Sequence, residues 1–140
     1  MKWLDTEETV RFNEVDTYGI AWYGHYIAWF DVGRMALLKE FNLRPQDMIS
    51  LGYMAPVVDL KCTYKHPARC GDVVLIRTTV VKPEIAALIF RFEINREPDR
   101  TLLARGETTQ VLMTVENKML YRLQGELKQR VETMLAHFSG

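Results

Sequence analysis

The chain of 140 residues is poor in cysteine, with Cys62 and Cys70 as its only two. Two cysteines are too few for a disulfide framework, and they indicate free thiols in a reducing cytoplasm. They also lack the close paired spacing of zinc ligands, and His25, His66 and His137 are scattered along the chain. The sequence therefore predicts no metal site.

An excess of charge of one sign is also missing, because 18 Lys and Arg residues balance 18 Asp and Glu residues. A protein that mainly binds nucleic acid needs a basic surface, so no nucleic-acid partner is expected. The sequence contains no G-x-S-x-G elbow and no phosphate-cradling glycine loop. These absences argue against a serine hydrolase and against a P-loop or dinucleotide-binding protein.

Segments typical of targeting or membrane insertion are absent too. Residues 1–9 carry three acidic side chains and no apolar run, unlike a signal peptide. Residues 20–38 reach membrane-spanning length, but they include His25, Asp31 and Arg34. We therefore predict a buried core helix there, and we expect a cytoplasmic protein with no membrane partner.

The residues that are present predict one domain over residues 1–140, with one long helix among several strands. Residues 24–41 predict a helix that is apolar on nearly every face, which other structure must cover on most sides. Alternation or β-branched runs predict strands at residues 9–13, 58–65, 72–81, 88–95 and 101–115. In the first of these, Val10 and Phe12 are expected on one face. An apolar stripe from Leu123 to Phe138 predicts a C-terminal amphipathic helix.

This order of elements is typical of an α+β architecture in which a sheet curls around the central helix. One sheet covers only one side of that helix. The remaining apolar faces need a partner, so we expect self-association as a dimer at least.

Two motifs carry a resemblance to a known family. Residues 11–34, RFNEVDTYGIAWYGHYIAWFDVGR, resemble the opening motif of hotdog-fold acyl-CoA thioesterases of the 4-hydroxybenzoyl-CoA thioesterase and YbgC/FadM type. The matching positions are Asp16, Gly19, Ile20, Tyr23, Tyr26, Phe30 and Arg34. Residues 64–74, YKHPARCGDVV, are similar to the turn with Pro and then Gly-Asp that this family carries between two strands.

The resemblance implies a hotdog fold, in which an antiparallel sheet of five to six strands wraps one long helix. It implies two chains that pair their sheets, sites at the dimer seam, and a dimer or tetramer. The implied activity is hydrolysis of an acyl-CoA, or of an acyl carrier protein thioester, without metal or redox cofactor. The alternative is a non-catalytic module that binds acyl-CoA or acyl carrier protein on the same fold.

Asp16 is the candidate catalytic carboxylate. Thioester hydrolysis needs a carboxylate that attacks the carbonyl or activates water, and a donor that holds the oxyanion. Asp16 fits either role, base or nucleophile, and its alternative is a turn residue that caps backbone donors. The resemblance places the oxyanion amide at Tyr23, at a helix start whose N–H groups lack intrahelical partners.

Other residues near this helix start have open assignments. His25 is a candidate general base, or a residue that orients water or substrate, where many relatives carry Asn. Gly19 in the turn, Trp22 and Tyr26 are candidate substrate contacts, although such aromatics are often core residues. The abundance of aromatic residues favours an aryl or medium-chain acyl group.

Basic residues for the phosphates of coenzyme A are expected at Lys61, Lys65, His66 and Arg69, whose alternative is a solvated polar face. Some aryl-CoA thioesterases carry an Arg/Lys cluster after the third long strand. Residues 82–87, KPEIAA, lack that cluster, which argues against a strict 4-hydroxybenzoyl specificity.

Overall fold

The computed structural model describes residues 1–139, which form one five-stranded antiparallel sheet, a small two-stranded sheet and three α-helices. In chain order the elements are β1 (Leu4–Thr9), α1 (Tyr23–Glu40), α2 (Pro45–Leu51), β2 (Tyr53–Met54), β3 (Val57–Tyr64), β4 (Val73–Val81), β5 (Ala87–Glu97), β6 (Thr101–Val111), β7 (Met113–Thr114) and α3 (Gly125–Phe138). The large sheet has the strand order β1-β4-β5-β6-β3, so β1 and β3 are its free edges. The predicted α+β architecture, with an antiparallel sheet and one long helix, is confirmed.

The long helix α1 packs across the inner face of this sheet. The ring of Phe30 stacks on that of Phe92 of β5, with 4.6 Å between centroids. Farther along α1, Gly33 lies so close to β4 that an added Cβ would collide with Thr78 and Ile76. The inner-face residues of β5 are at most 1% exposed: Leu88, Phe90, Phe92 and Ile94. Their period of two is the one that the sequence predicts.

The prediction of a strand at residues 9–13 is wrong. The strand is β1, which pairs with β4 from Leu4–Thr78 to Thr9–Val73, and a turn of 3₁₀-helix follows at Phe12–Glu14. Val10 is 1% exposed and Phe12 is 80% exposed, so they do not share a face. β1 carries acidic side chains and no apolar alternation, and therefore its pairing with β4 rather than its own pattern defines it.

The strand β3 is predicted at the right place, but it is more exposed than its alternation suggests. Val58 is 58% exposed, Leu60 39% and Tyr64 44%. The cause is its place at the edge of the sheet, where α1 does not cover its inner side. The short helix α2, which has Pro45 at its start, and the β2–β7 pair were not predicted, because segments this short carry too few residues to show a period.

The C-terminal helix α3 is confirmed, and it buries Leu127, Val131, Met134 and Phe138. Within residues 1–139, none of the helices combines the length and the apolarity that a bilayer span requires. Among the same residues, no three His, Cys, Asp or Glu side chains cluster in a way that could hold a metal ion.

Candidate active site

Asp16 opens the loop that leads from the edge of the sheet to α1. Its backbone N–H donates to the backbone oxygen of Ile20 over 2.8 Å, and its backbone oxygen accepts from Gly19 N–H over 2.9 Å. This tight loop needs a positive φ at its tip, and Gly19 supplies it with a φ of 75°. The Oδ1 atom of Asp16 accepts from Tyr18 N–H over 2.8 Å. No other hydrogen bond within residues 1–139 engages this carboxylate, so its second oxygen is available to a ligand.

The start of α1 lacks a cap. The helix begins at Tyr23, and its N-cap residue Trp22 makes no capping hydrogen bond through its side chain. No acidic residue lies in the first turn. The N–H of His25 donates to the oxygen of Trp22 over 2.8 Å, whereas those of Tyr23 and Gly24 have no acceptor among residues 1–139. Two free donors at the positive end of a helix dipole suit a developing negative charge.

A cleft of about 370 Å³ brings the loop, the helix start and the end of β3 together. Its lining includes Asp16, Tyr23, Tyr26, Tyr64, Lys65 and His66. Four predicted site residues thus share one cavity, and His66, predicted as a phosphate contact, joins them. The other predicted residues, Gly19, Trp22, His25, Lys61 and Arg69, are not part of this lining.

Two tyrosines form one wall of the cleft. The hydroxyl of Tyr64 donates to the backbone oxygen of Tyr23 over 2.8 Å, and the hydroxyl of Tyr26 accepts from Ala68 N–H over 2.9 Å. Their rings meet edge to face at 5.0 Å. Burial raises the pKa of Tyr26, and burial together with the neighbouring Cys62 raises the pKa of Tyr64. Both hydroxyls therefore remain protonated at neutral pH, and that of Tyr26 keeps its proton free to donate.

Glu14 is a buried carboxylate that the sequence analysis missed. It is 6% exposed, and its Oε1 accepts from Arg11 N–H over 2.8 Å and from Arg11 Nε over 3.3 Å. Its backbone oxygen accepts from Trp22 N–H over 3.0 Å, and its Oε2 lies 3.6 Å from Nδ1 of His25. Burial acts to raise the pKa of Glu14, but the hydrogen bonds from Arg11 outweigh burial and lower it. Glu14 thereby ties the Asp16 loop to the first turn of α1.

Trp22 and His25 lie together at the start of α1. The Trp22 ring is half exposed and covers Gly24 so closely that a Cβ there would collide with it. Its centroid lies 5.8 Å from that of His25, with the rings edge to face. His25 is thus held between Trp22 and Glu14. Nothing local in the sequence marks Glu14 as buried, because its contacts with Trp22 and His25 arise only when the loop folds back on the start of α1.

The comparisons with known proteins agree with this architecture. Residues 10–136 match the model of the family described as the Thioesterase-like superfamily. YneP of Bacillus subtilis, described as a candidate acyl-CoA thioesterase, is 36% identical over 74 residues, which are 53% of this chain and 54% of YneP. The chain thus spans about half the length of YneP.

Matches from Synechocystis cover more of the chain. A 1,4-dihydroxy-2-naphthoyl-CoA hydrolase is 25% identical over 113 residues, 80% of this chain and 82% of its own. The crystal structure of a 1,4-dihydroxy-2-naphthoyl-CoA thioesterase superposes with a TM-score of 0.85 at 22% identity, covering 99% of both chains, and supports the fold. The family match over residues 10–136 confirms the resemblance read from the sequence, and the chain belongs to the Thioesterase-like superfamily, with the hotdog fold.

Proposed function

We propose that the protein hydrolyses the thioester of an acyl-CoA to the free acid and coenzyme A. The observation that carries this proposal is that Asp16 and the uncapped start of α1 line the same cleft. The family membership supports the reaction class, and the named relatives support a CoA thioester as the substrate.

In this mechanism the thioester oxygen lies against the free N–H groups of Tyr23 and Gly24. These donors stabilise the negative charge that develops as the carbonyl carbon becomes tetrahedral. Asp16 acts from the other side of the carbonyl. As a base it takes a proton from water, the hydroxide adds to the carbon, the C–S bond breaks, and the thiol leaves with that proton. As a nucleophile its carboxylate oxygen would instead add to the carbon, and the C–S bond would break with coenzyme A leaving as the thiolate. Water would then hydrolyse the resulting anhydride to the free acid and Asp16, and the proton it releases would protonate the thiolate.

The remaining residues are assigned to binding. Tyr26 and Tyr64 form the wall beside the carbonyl, and Lys65 with His66 lies at the mouth, where CoA phosphates would pass. Arg69 is exposed on the turn beside them and would add to this charge. Lys61 alternates with Cys62 and so points to the outer face of β3, away from Tyr64, and we assign it no contact with the substrate.

The residues outside the lining are given supporting roles. We assign His25 to orienting water or the acyl group, because Glu14 and Trp22 fix its ring beside the helix start. Gly19 shapes the Asp16 loop. The ring of Trp22 would shield the helix start from solvent.

The two edges of the sheet differ, and the difference favours a dimer through β3. β1 carries the exposed acids Asp5 and Glu7, which discourage pairing, whereas β3 exposes Val58 and Leu60. Pairing of β3 with the β3 of a second copy would satisfy its free backbone groups and cover these side chains. Because β3 ends at Tyr64, in the wall of the cleft, the partner would then complete the site.

The test is thiol release from a panel of acyl-CoAs, measured with a thiol reagent, for the wild type and Asp16→Asn. Asn keeps an oxygen for the Tyr18 N–H but cannot accept a proton or attack. We expect turnover to fall by about 100-fold or more with an unchanged circular dichroism spectrum. Glu7→Gln, an exposed acid on β1, is the matched control and should retain turnover.

Two results would contradict the proposal in different ways. Wild-type turnover in Asp16→Asn would remove Asp16 from the mechanism. Tight binding of acyl-CoA or of an acyl carrier protein, without thiol release from either, would instead identify a binding module.

A further inference from the structure

Tyr26 places a buried hydroxyl in the wall of the cleft. The residue is 3% exposed, and its oxygen accepts from Ala68 N–H over 2.9 Å. No atom within residues 1–139 accepts the hydrogen of this hydroxyl. Because a buried polar group is costly to leave without a partner, this hydrogen is expected to bond to a group that the cleft holds during the reaction.

The ring of Tyr26 is held from two sides. It lies edge to face against Trp29 of α1, with 5.1 Å between the ring centroids, and against Tyr64 of β3, with 5.0 Å between the centroids. The hydrogen bond from Ala68 fixes the far end of the ring. The hydroxyl oxygen therefore has a set position, and only its hydrogen can rotate.

Backbone hydrogen bonds place this hydroxyl on the same side of the cleft as Asp16. Ala68, which donates to Tyr26, accepts through its own backbone oxygen from Ala21 N–H over 2.8 Å. The preceding residue, Ile20, accepts from Asp16 N–H over 2.8 Å. The segment that carries Ala68 thus lies against the loop that carries Asp16, and the side chains of Asp16 and Tyr26 line the same cleft.

A water molecule matches these two groups. Asp16 offers an acceptor, its second carboxylate oxygen, and Tyr26 offers a donor. A water between them donates one hydrogen to the carboxylate and accepts the hydrogen of the phenol. One lone pair of its oxygen is then free to attack a carbonyl carbon. The cleft, at about 370 Å³, accommodates this water beside a thioester.

We propose that Tyr26 is a further catalytic residue, whose hydroxyl holds the attacking water against Asp16. The inference rests on the proposed thioester hydrolysis, and it assigns Asp16 the role of base. As Asp16 takes a proton from this water, the water oxygen becomes negative before its bond to the carbon is complete. The hydrogen bond from Tyr26 stabilises that charge.

Tyr26 neither gives up nor takes a proton in this reaction. Burial raises its pKa, the hydrogen bond from Ala68 lowers it by less, and the neighbouring Cys62 and Asp72 raise it further. The phenol therefore remains a donor throughout the neutral range.

The first test compares kcat and KM for thiol release in the wild type and in Tyr26→Phe. Phe keeps the ring of the wall and removes only the hydroxyl. We expect kcat to fall at least about tenfold, because a hydrogen bond to a charged group is lost. KM should stay within about twofold. Tyr53→Phe, at a half-buried tyrosine that is not part of the lining, is the matched control and should retain kcat.

A fluorinated tyrosine at position 26 separates this role from a structural one, and it keeps every contact of the ring if Tyr26→Phe folds poorly. Fluorine makes the phenol more acidic. The phenolate still accepts from Ala68 N–H but has no hydrogen to donate. We expect kcat of this protein to fall at least about tenfold with rising pH, over a range in which the wild type retains its activity. The same fluorinated residue at position 53 is the control.

Three results would overturn this role of Tyr26: a wild-type kcat in Tyr26→Phe, a loss that lies in KM alone, or a fluorinated protein with the alkaline profile of the wild type. Each of them leaves thioester hydrolysis by the wild type standing. A wild type that releases no thiol from any acyl-CoA would instead reject the proposed function, and the role of Tyr26 with it.

Discussion

The hydroxyl of Tyr64, the last residue of β3, donates to the backbone oxygen of Tyr23, the first residue of α1, over 2.8 Å. The two residues are 41 positions apart in the chain. This hydrogen bond fixes the end of the free sheet edge against the start of the helix, and these are the two elements between which the cleft lies. The position of the free N–H groups at the helix start therefore depends on a side chain from the opposite wall.

Tyr64→Phe removes this hydrogen bond and keeps the ring that packs on Tyr26. We expect the free energy of unfolding, measured with urea, to fall by about 1 kcal/mol, the usual worth of such a bond. We expect kcat/KM to fall by more than this loss of stability explains, because the start of α1 and the end of β3 can then move apart. Tyr121→Phe, at an 86% exposed tyrosine, is the control. Unchanged turnover in Tyr64→Phe would show that the bond does not position the site.

Glu14→Gln should change how stability depends on pH. The pKa of Glu14 in the folded protein lies below its ordinary value of 4.5. Its carboxylate therefore stabilises the fold above the pKa of the unfolded state, and this stability is lost as the pH falls through the folded pKa. We expect the variant to be less stable at pH 7 by about 1.5 kcal/mol, because charged hydrogen bonds from Arg11 are lost.

The measurement for Glu14 is urea unfolding of both proteins between neutral and acidic pH. The difference in the free energy of unfolding should shrink as the solution becomes more acidic than 4.5. Glu7→Gln, at an exposed acid, should show no comparable difference. If the difference in the free energy of unfolding between wild type and Glu14→Gln stays constant with pH, the charge of the carboxylate is not what stabilises the loop.

The long elements could be predicted because their patterns are local. Residues 24–41 give α1, observed as Tyr23–Glu40, and the alternation of residues 88–95 gives the core of β5. The position of Asp16 before an exposed helix start also follows from the order of residues. β1 could not be predicted from a local pattern, because Asp5, Glu7 and Glu8 leave it without apolar alternation. Its register is set by its pairing with β4.

The finer parts of the site depend on contacts between distant residues. Tyr64 reaches Tyr23 from another strand, and the burial of Glu14 depends on how the loop folds back on Trp22. Neither contact leaves a periodic signal in the sequence. A cavity lined by Met35, Met48 and Met54 likewise combines five elements, α1, α2, β2, β5 and β6, whose meeting only the fold reveals.

Gly106→Ala should disturb the packing between α1 and the sheet. An added Cβ would lie 2.5 Å from Cζ of Phe30 and 2.8 Å from the backbone oxygen of Lys61. The Phe30 ring is held by its stack on Phe92, so it cannot withdraw freely. We expect a loss of about 1–3 kcal/mol in the free energy of unfolding by urea denaturation.

The control for Gly106→Ala is Arg105→Ala, at the exposed neighbouring position on β6. It should change the free energy of unfolding by less than about 0.5 kcal/mol. Equal stability of the two variants would indicate that Phe30 moves aside without cost.

Val58→Asp should dissociate the proposed dimer. Val58 is 58% exposed on the edge strand β3, and a charged side chain on an edge strand discourages pairing with another strand. Sedimentation velocity should show a dimer for the wild type and a monomer for Val58→Asp, with turnover lost in parallel because the partner completes the cleft. Glu7→Lys, on the opposite edge strand β1, should remain dimeric and active. A Val58→Asp protein that stays dimeric, or one that is monomeric with full turnover, would reject β3 pairing as part of the site.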